Sequence, residues 1–324
     1  MRHYLQLWIL ASLLLAYGVA WAQNSHQTPP YWAYVINPNS EPAAGPTDHA
    51  PRHVPGSGAA FTLAQIADLF NPPDWHPEGH AAMPEIVAHG RKPDVFACAY
   101  CHLPNGQGRP ENSSLAGLPA GYIVEQLEDF KSGARKSSEP RHLPIAMMIA
   151  SETKATGQEI QSAANYFSGL TRKPWVRVVE TGTVPKTRVA GWMLAPSTPA
   201  ATERIGERII EVPENLERTE ARDDASGFIA YVPEGSLARG RALVNTGSNG
   251  KAIPCAKCHG PGLRGSGNMP PIAGRSPSYL VRQLFDIQSG ARAGTLSREM
   301  RAPIRNLTLD DMIAISAYVA SLRP

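Results

Sequence analysis

No cysteine lies outside two five-residue blocks: all four fall in "CAYCH", Cys98 to His102, and "CAKCH", Cys255 to His259. None is left to staple another part of the chain, which excludes a disulfide-built scaffold and confines cysteine chemistry to these blocks. Charge of one sign is also missing. With 31 basic and 28 acidic residues in 324, the net charge of +3 gives no electrostatic footprint for nucleic acid. After the first 22 residues no apolar run approaches the ~20 residues that a spanning helix needs, so no integral membrane span is expected beyond them. Aromatics are scarce at 7%, whereas prolines number 30. That balance suits compact helical parts joined by long ordered loops. The length asks for two domains with connections rather than one small core.

The exception to the missing apolar run is the start of the chain. Arg2 and His3 precede an apolar stretch from Leu5 to Val19, which closes on Ala20-Trp21-Ala22. This order of charge, apolar run and small-residue cleavage site predicts a secretory signal over residues 1–22, cut before Gln23. An uncleaved N-terminal anchor is the alternative. Either way the chain is expected in an exported compartment, most simply a periplasm.

What is present is a repeat. Laid on itself at an offset of 157, the segment 98–135 matches 255–292 at 17 of 38 positions without a gap. The shared letters include Tyr122 with Tyr279, Gln126-Leu127 with Gln283-Leu284, and "SGAR" at 132–135 and 289–292. Such a register marks a duplicated domain. "AGYIVEQLEDFKSGAR" and "PSYLVRQLFDIQSGAR" carry apolar residues at helical spacing and end on Gly. "TGQEIQSAANYFSGL" and "TLDDMIAISAYVASL" form a second matched pair, with Thr308 as N-cap and Asp310-Asp311 in the first turn. "MPEIVAHGRK" and "SLARGRALVN" predict a short helix before each pentad. Between the units, residues 172–233 contain "WVRVVETGTVPKTRVAGWML" and "ERIIEVPE", where β-branched residues alternate with polar ones, and a small β-rich insertion is expected. Residues 23–79 read as an irregular extension with a short helix at "FTLAQIADLF".

C-x-x-C-H is the attachment signature of a c-type haem. Two thiols at this spacing add to the porphyrin's two vinyl groups, and the adjacent His is carried to the iron. Cys98, Cys101, Cys255 and Cys258 are thus the expected covalent attachments of two haem c groups, with His102 and His259 as iron ligands. A single zinc held by both hooks has no use for a His after each hook, and a thioredoxin-like pair needs a βαβ setting that the units lack. The sixth ligand is expected from a loop across the haem. Met300 is 18 residues ahead of Tyr318, and the same step back from Tyr166 reaches Met148. Met147 is the alternative to Met148, and His142 would give the first haem two imidazoles. Met269 is expected to line the loop after His259, Met312 to pack in the last helix, and His76, His80 and His89 to take surface or capping roles.

With the pentads, the Pro270-x-Ile272-x-Gly274 stretch, the "SGAR" helix, Met300 and the Tyr318 helix, each unit resembles a class I cytochrome c. The tandem arrangement is similar to the dihaem cytochromes of the c4 type. The resemblance implies a mainly α fold: two tandem cytochrome domains, 80–171 and 234–324, with the insertion 172–233 between them and the extension 23–79 in front. It further implies an electron carrier, not an enzyme, moving single electrons between a membrane or periplasmic donor and an acceptor such as a terminal oxidase. The first unit departs from the motif with Ser113 in place of Pro270, although a backbone carbonyl remains there to orient the His. Two rival functions stay open. One is a dihaem peroxidase, which requires an openable iron site. The other is a fixed electron-transfer subunit of a dehydrogenase, docked through exposed stretches such as "PPYWAYVINP" and "VAGWMLAP".

Overall fold

A computed structural model describes residues 28–37, 49–197 and 201–324. The expected signal segment lies outside the described residues. The last helix of each unit begins with the same device. Thr156 and Thr308 each accept a hydrogen bond from the amide three residues on, at 3.3 Å, while the Glu159 and Asp311 carboxylates accept from the cap amides at 2.7 and 2.9 Å. Reciprocal capping of this kind satisfies two otherwise orphaned donors and fixes where the helix starts.

The helices run in chain order as α1 (Leu63–Ile66), α2 (Glu85–Ala88), α3 (Cys98–His102), α4 (Ala120–Lys131), α5 (Leu143–Glu152) and α6 (Gly157–Ser168). After the strands and α7 (Leu216–Glu220) come α8 (Ser236–Thr246), α9 (Ala256–His259), α10 (Pro277–Ser289), α11 (Thr295–Ile304) and α12 (Leu309–Ser321). In the first unit α4 packs on α6 and α5; in the second α12 packs on α8 and α10. Separate apolar cores result. Val87, Phe130 and Phe167 sit in one, and Leu243, Val281, Phe285 and the fully buried Met312 in the other. The short helix expected before the first pentad spans only four residues, against eleven for its counterpart α8. Both segments expected to be loops across the haem are helices of ten residues, α5 and α11. Pro144 in the first turn of α5 suits a helix start, and Pro303 in α11 forfeits a single helical bond, the one its N–H would make to the Glu299 carbonyl.

Strand β1 (Val176–Glu180) runs parallel to β7 (Phe228–Val232), which pairs antiparallel with β6 (Ile210–Pro213). Two hairpin-like pairs flank them: β2 (Thr183–Pro185) with β5 (Thr202–Arg204), and β3 (Thr187–Ala190) with β4 (Met193–Pro196). Along the central β7, Phe228, Ala230 and Val232 are buried and alternate with half-buried neighbours, the period-2 pattern of a strand.

Two stretches expected to be exposed are not. Trp32 and Tyr34 insert into the core of the second cytochrome unit, where the Tyr34 hydroxyl donates to Asp286 at 2.7 Å, and Met193 and Ala195 are buried in the insertion. Burying an aromatic or Met side chain is worth about 1.5–3 kcal/mol, which favours packing over display. Among the described residues of the first stretch only Tyr31 is exposed as a large apolar side chain, at 74%.

The units meet face to face, and identical residues do the joining. Arg135 and Arg292 form an isolated antiparallel bridge, with Lys136 N donating to Ala291 O at 2.8 Å and Ala293 N to Ala134 O at 2.7 Å. Arg135 reaches Tyr279 and Gln283 across the contact at 3.3 and 3.2 Å; Arg292 reaches Tyr122 and Gln126 at 2.7 and 2.6 Å. Each copy thus presents the same patch to the other, as in an isologous dimer interface.

Gly240 on α8 lies where a Cβ would run into the Ala314 carbonyl of α12. Gly240→Ala gains about 1 kcal/mol of helix propensity, yet overpacking against backbone costs about 1–3 kcal/mol. The variant is expected to unfold at lower denaturant, by a net of up to ~2 kcal/mol.

Candidate haem sites

Each pentad is a single turn whose His ends it, α3 in one unit and α9 in the other. Local hydrogen bonds set the imidazoles. His102 Nδ1 lies 2.8 Å from Ser113 O, and His259 Nδ1 lies 2.9 Å from Pro270 O. A carbonyl can only accept, so Nδ1 carries the proton and Nε2 is the free lone pair. Ser113 replaces Pro270 without loss, because the contact uses the backbone. Burial holds His102 well below the usual imidazole range, at about 4, and lowers His259 in the same direction. Both rings are neutral, as iron ligation requires.

Each His opens on an apolar cavity. The first is lined by Cys98, Cys101, His102, Phe130, Met147, Met148 and Phe167, and the second by Cys255, Cys258, His259, Met269, Leu284 and Met300. Their open volumes, mouths included, are about 1210 and 1390 Å³. The residues present fit covalently held haem: buried His102 Nε2 has no hydrogen-bond partner among protein atoms, and the four thiols are free, two in each cavity wall. Burial pushes the Cys255 thiol up to about 11 and raises Cys98 and Cys101 as well.

The methionines occupy matched places. Met148 is sixth of the ten residues of α5, and Met300 is sixth of the ten of α11. Met147 also lines the first cavity, but Met148 and not Met147 packs against the core of its unit. His142, the N-cap of α5, lines the same cavity; it is buried, its Nε2 unpartnered, and burial pushes it down to about 3. Met269 lines the second cavity and Met312 does not.

Sequence reasoning missed several residues at these sites. Arg135 lines the first cavity and Arg292 the second, while Tyr122, Tyr279 and Gln283 line both. Their signal was present in the identities shared by the two copies. Arg222 carried no signal: from the insertion it donates to Tyr100 O at 2.6 Å and lies over the Tyr100 ring, 3.5 Å from its centroid, inside the first pentad. The cavities also differ. Buried Glu111 and Glu152 line the first, whereas the α11 counterpart of Glu152, at the last position of the helix, is Ile304.

Residues 89–171 and 237–323 each match the family model described as cytochrome c. The chain is similar to cytochrome c4 of Azotobacter vinelandii, 34% identical over 75% of this chain and 91% of that protein. It is similar to a thiosulfate dehydrogenase electron acceptor of Stutzerimonas stutzeri, 29% identical over 72% of this chain and 82% of that one. Reduced recombinant cytochrome c4 from Pseudomonas stutzeri aligns over 70% of this chain and 93% of that structure, at 20% identity and a TM-score of 0.45.

Glu152 gives a pH dependence. Burial pushes its carboxyl up to about 7, against an opposing pull from Lys131. The folded value lies above the ordinary 4.5, so the protonated form is favoured by folding. Its contribution is full below about pH 4.5 and lost as pH rises through about 7, up to about 3 kcal/mol at ~1.4 kcal/mol per unit. Denaturant unfolding of wild type and Glu152→Gln from acid to mildly alkaline pH is expected to show this slope in the wild type and a flatter one in the variant.

Proposed function

The chain belongs to the cytochrome c family and carries two covalently attached haem c groups, and from that premise we propose that it is an exported, periplasmic carrier of single electrons between redox partner proteins. Its domains are 80–171 and 234–324, with a β-rich insertion over 172–233 and an extension over 23–79. Among the described residues no helix is long and apolar enough to cross a membrane. The observation that carries the reading is the matched pair of cavities, each lined by the pentad His and by a Met at the same helix position.

Haem iron, when bound, supplies a one-electron ferrous–ferric couple. The chain's residues decide how it is used. Cys98 and Cys101 hold the first haem, Cys255 and Cys258 the second. Ser113 and Pro270 carbonyls fix the tautomers of His102 and His259, which bind iron through Nε2. Met148 and Met300 would supply a thioether to each iron, which would favour the ferrous state and leave little room for other ligands. Arg135 and Arg292, buried with neutral Gln and Tyr acceptors, are positioned to meet the acidic side groups of the two haems.

A fixed subunit of a dehydrogenase is a form of the same reading. It draws on the likeness to proteins named as thiosulfate dehydrogenase electron acceptors. A stable lone monomer after purification counts against it. The peroxidase-like reading rests on the asymmetry of the first cavity, where Glu152 and His142 sit near Met148.

An optical and redox titration of the pure protein separates these. Two low-spin haems with the Met-to-iron charge-transfer band, and no peroxide turnover, are expected; a high-spin haem with turnover overturns the carrier. Met148→Ala is expected to remove about half of that band and lower the potential of one haem. Met147→Ala is expected to leave both unchanged.

A further inference from the structure

Behind the first pentad, away from both cavities, His76 of the extension meets Asp223 and Asp224 of the insertion. His76 Nε2 lies 3.1 Å from Asp223 Oδ1 and 3.9 Å from Asp224 Oδ1. These three ligand atoms lie within 4.8 Å of one another, a spacing that a single bound cation can span. Two carboxylates side by side, both almost fully buried, repel each other and lose hydration, an arrangement that needs compensation.

The protein compensates one and leaves the other. Asp223 is held in place: Arg218 Nε donates to its Oδ2 at 2.6 Å and the Ala225 amide to its Oδ1 at 2.9 Å. Asp224 is 3% exposed, and its Oδ1, the atom turned toward His76, has no hydrogen-bond partner. A histidine paired with one aspartate does not call for a second buried carboxylate. An unpaired buried oxygen beside an imidazole nitrogen and an oriented carboxylate oxygen is the donor set of a cation site.

We propose that His76, Asp223 and Asp224 bind a divalent cation of the zinc class, joining the N-terminal extension to the insertion. The imidazole nitrogen disfavours calcium and magnesium, which take oxygen ligands, and with two carboxylates it suits a borderline transition cation. His76 is 15% exposed on its side chain, so solvent can complete the coordination. Binding here has a structural consequence for the first haem. Asn105 Nδ2 donates to Asp224 O at 2.6 Å and Gln107 Nε2 to Ser226 O at 2.8 Å, tying the cation-binding turn to the loop that follows His102. The cation thus braces that loop from behind.

The test uses haem-loaded protein treated with chelator, dialysed and titrated calorimetrically with zinc chloride, and separately with calcium chloride. One zinc equivalent is expected, with affinity falling at least about tenfold in both Asp224→Asn and His76→Gln, unchanged in the exposed-site control His89→Gln, and no calcium uptake. Absence of zinc uptake, or uptake equal in wild type and both site variants, overturns the proposal and leaves an ion pair. Should a variant lose its haem spectrum, zinc-edge anomalous scattering from zinc-soaked wild-type crystals decides. A peak between His76 Nε2 and the two carboxylates supports the site, and peaks elsewhere only overturn it.

Discussion

Two guanidinium groups, Arg135 and Arg292, are buried side by side at the contact between the units, and the arrangement of both cavities depends on them. Their hydrogen-bond acceptors are the neutral oxygens of Gln126, Gln283, Tyr122 and Tyr279, drawn from both copies. Burying two adjacent cations is costly, and Asp129 and Asp286 lie close enough to offset part of that cost. Such a pair is tolerated where each faces a site that brings negative charge, and each Arg lines one of the cavities. The constraint couples the cavities to assembly: the residues that close the interface are the residues that line the cavities. It also explains why Tyr122, Tyr279 and Gln283 border both cavities.

This double use accounts for what the sequence made legible. The pentads fix chemistry within five residues, so their reading needed no tertiary information. The duplication was visible because Tyr, Gln and "SGAR" recur in register, but their purpose was not, since it is a contact between the copies and no periodicity within one copy encodes it. The stretches that carry Met148 and Met300 were expected as loops because a ligand across the haem was sought there, and both are ten-residue helices. Pro144 sits in the first turn of its helix, where a missing N–H costs no helical bond. Ser113 looked like a departure and proved neutral, because the His bond uses a carbonyl that any residue supplies.

The extension and insertion were harder. Trp32 and Tyr34 looked like a surface patch in a Pro-rich segment, and only the fold shows that the second cytochrome unit provides the pocket that takes them. Arg222 has no motif at all; its partner ring, Tyr100, is 122 residues away. Contacts of this range are set by topology, which a single sequence does not display.

The extra segments act unequally on the two copies. Arg222 grips Tyr100 within the first pentad, Arg109 Nη1 donates to Thr219 O at 3.2 Å, and Trp75 joins the two extra segments by donating to Ala221 O at 2.8 Å. The second copy meets them chiefly through its core and through Glu211, which accepts from Ser276 and Ser278 at the start of α10 at 2.7 and 2.6 Å. Duplication alone would give two equal sites. Packing the back of one pentad against added chain, and placing Glu152 in one cavity where the other has Ile304, makes the surroundings of the two sites differ. Glu152, whose carboxyl burial pushes up to about 7, gives the first cavity a group that changes charge near neutral pH, and Ile304 gives the second no counterpart. What sets the two cavities apart therefore lies in the residues that the two copies do not share.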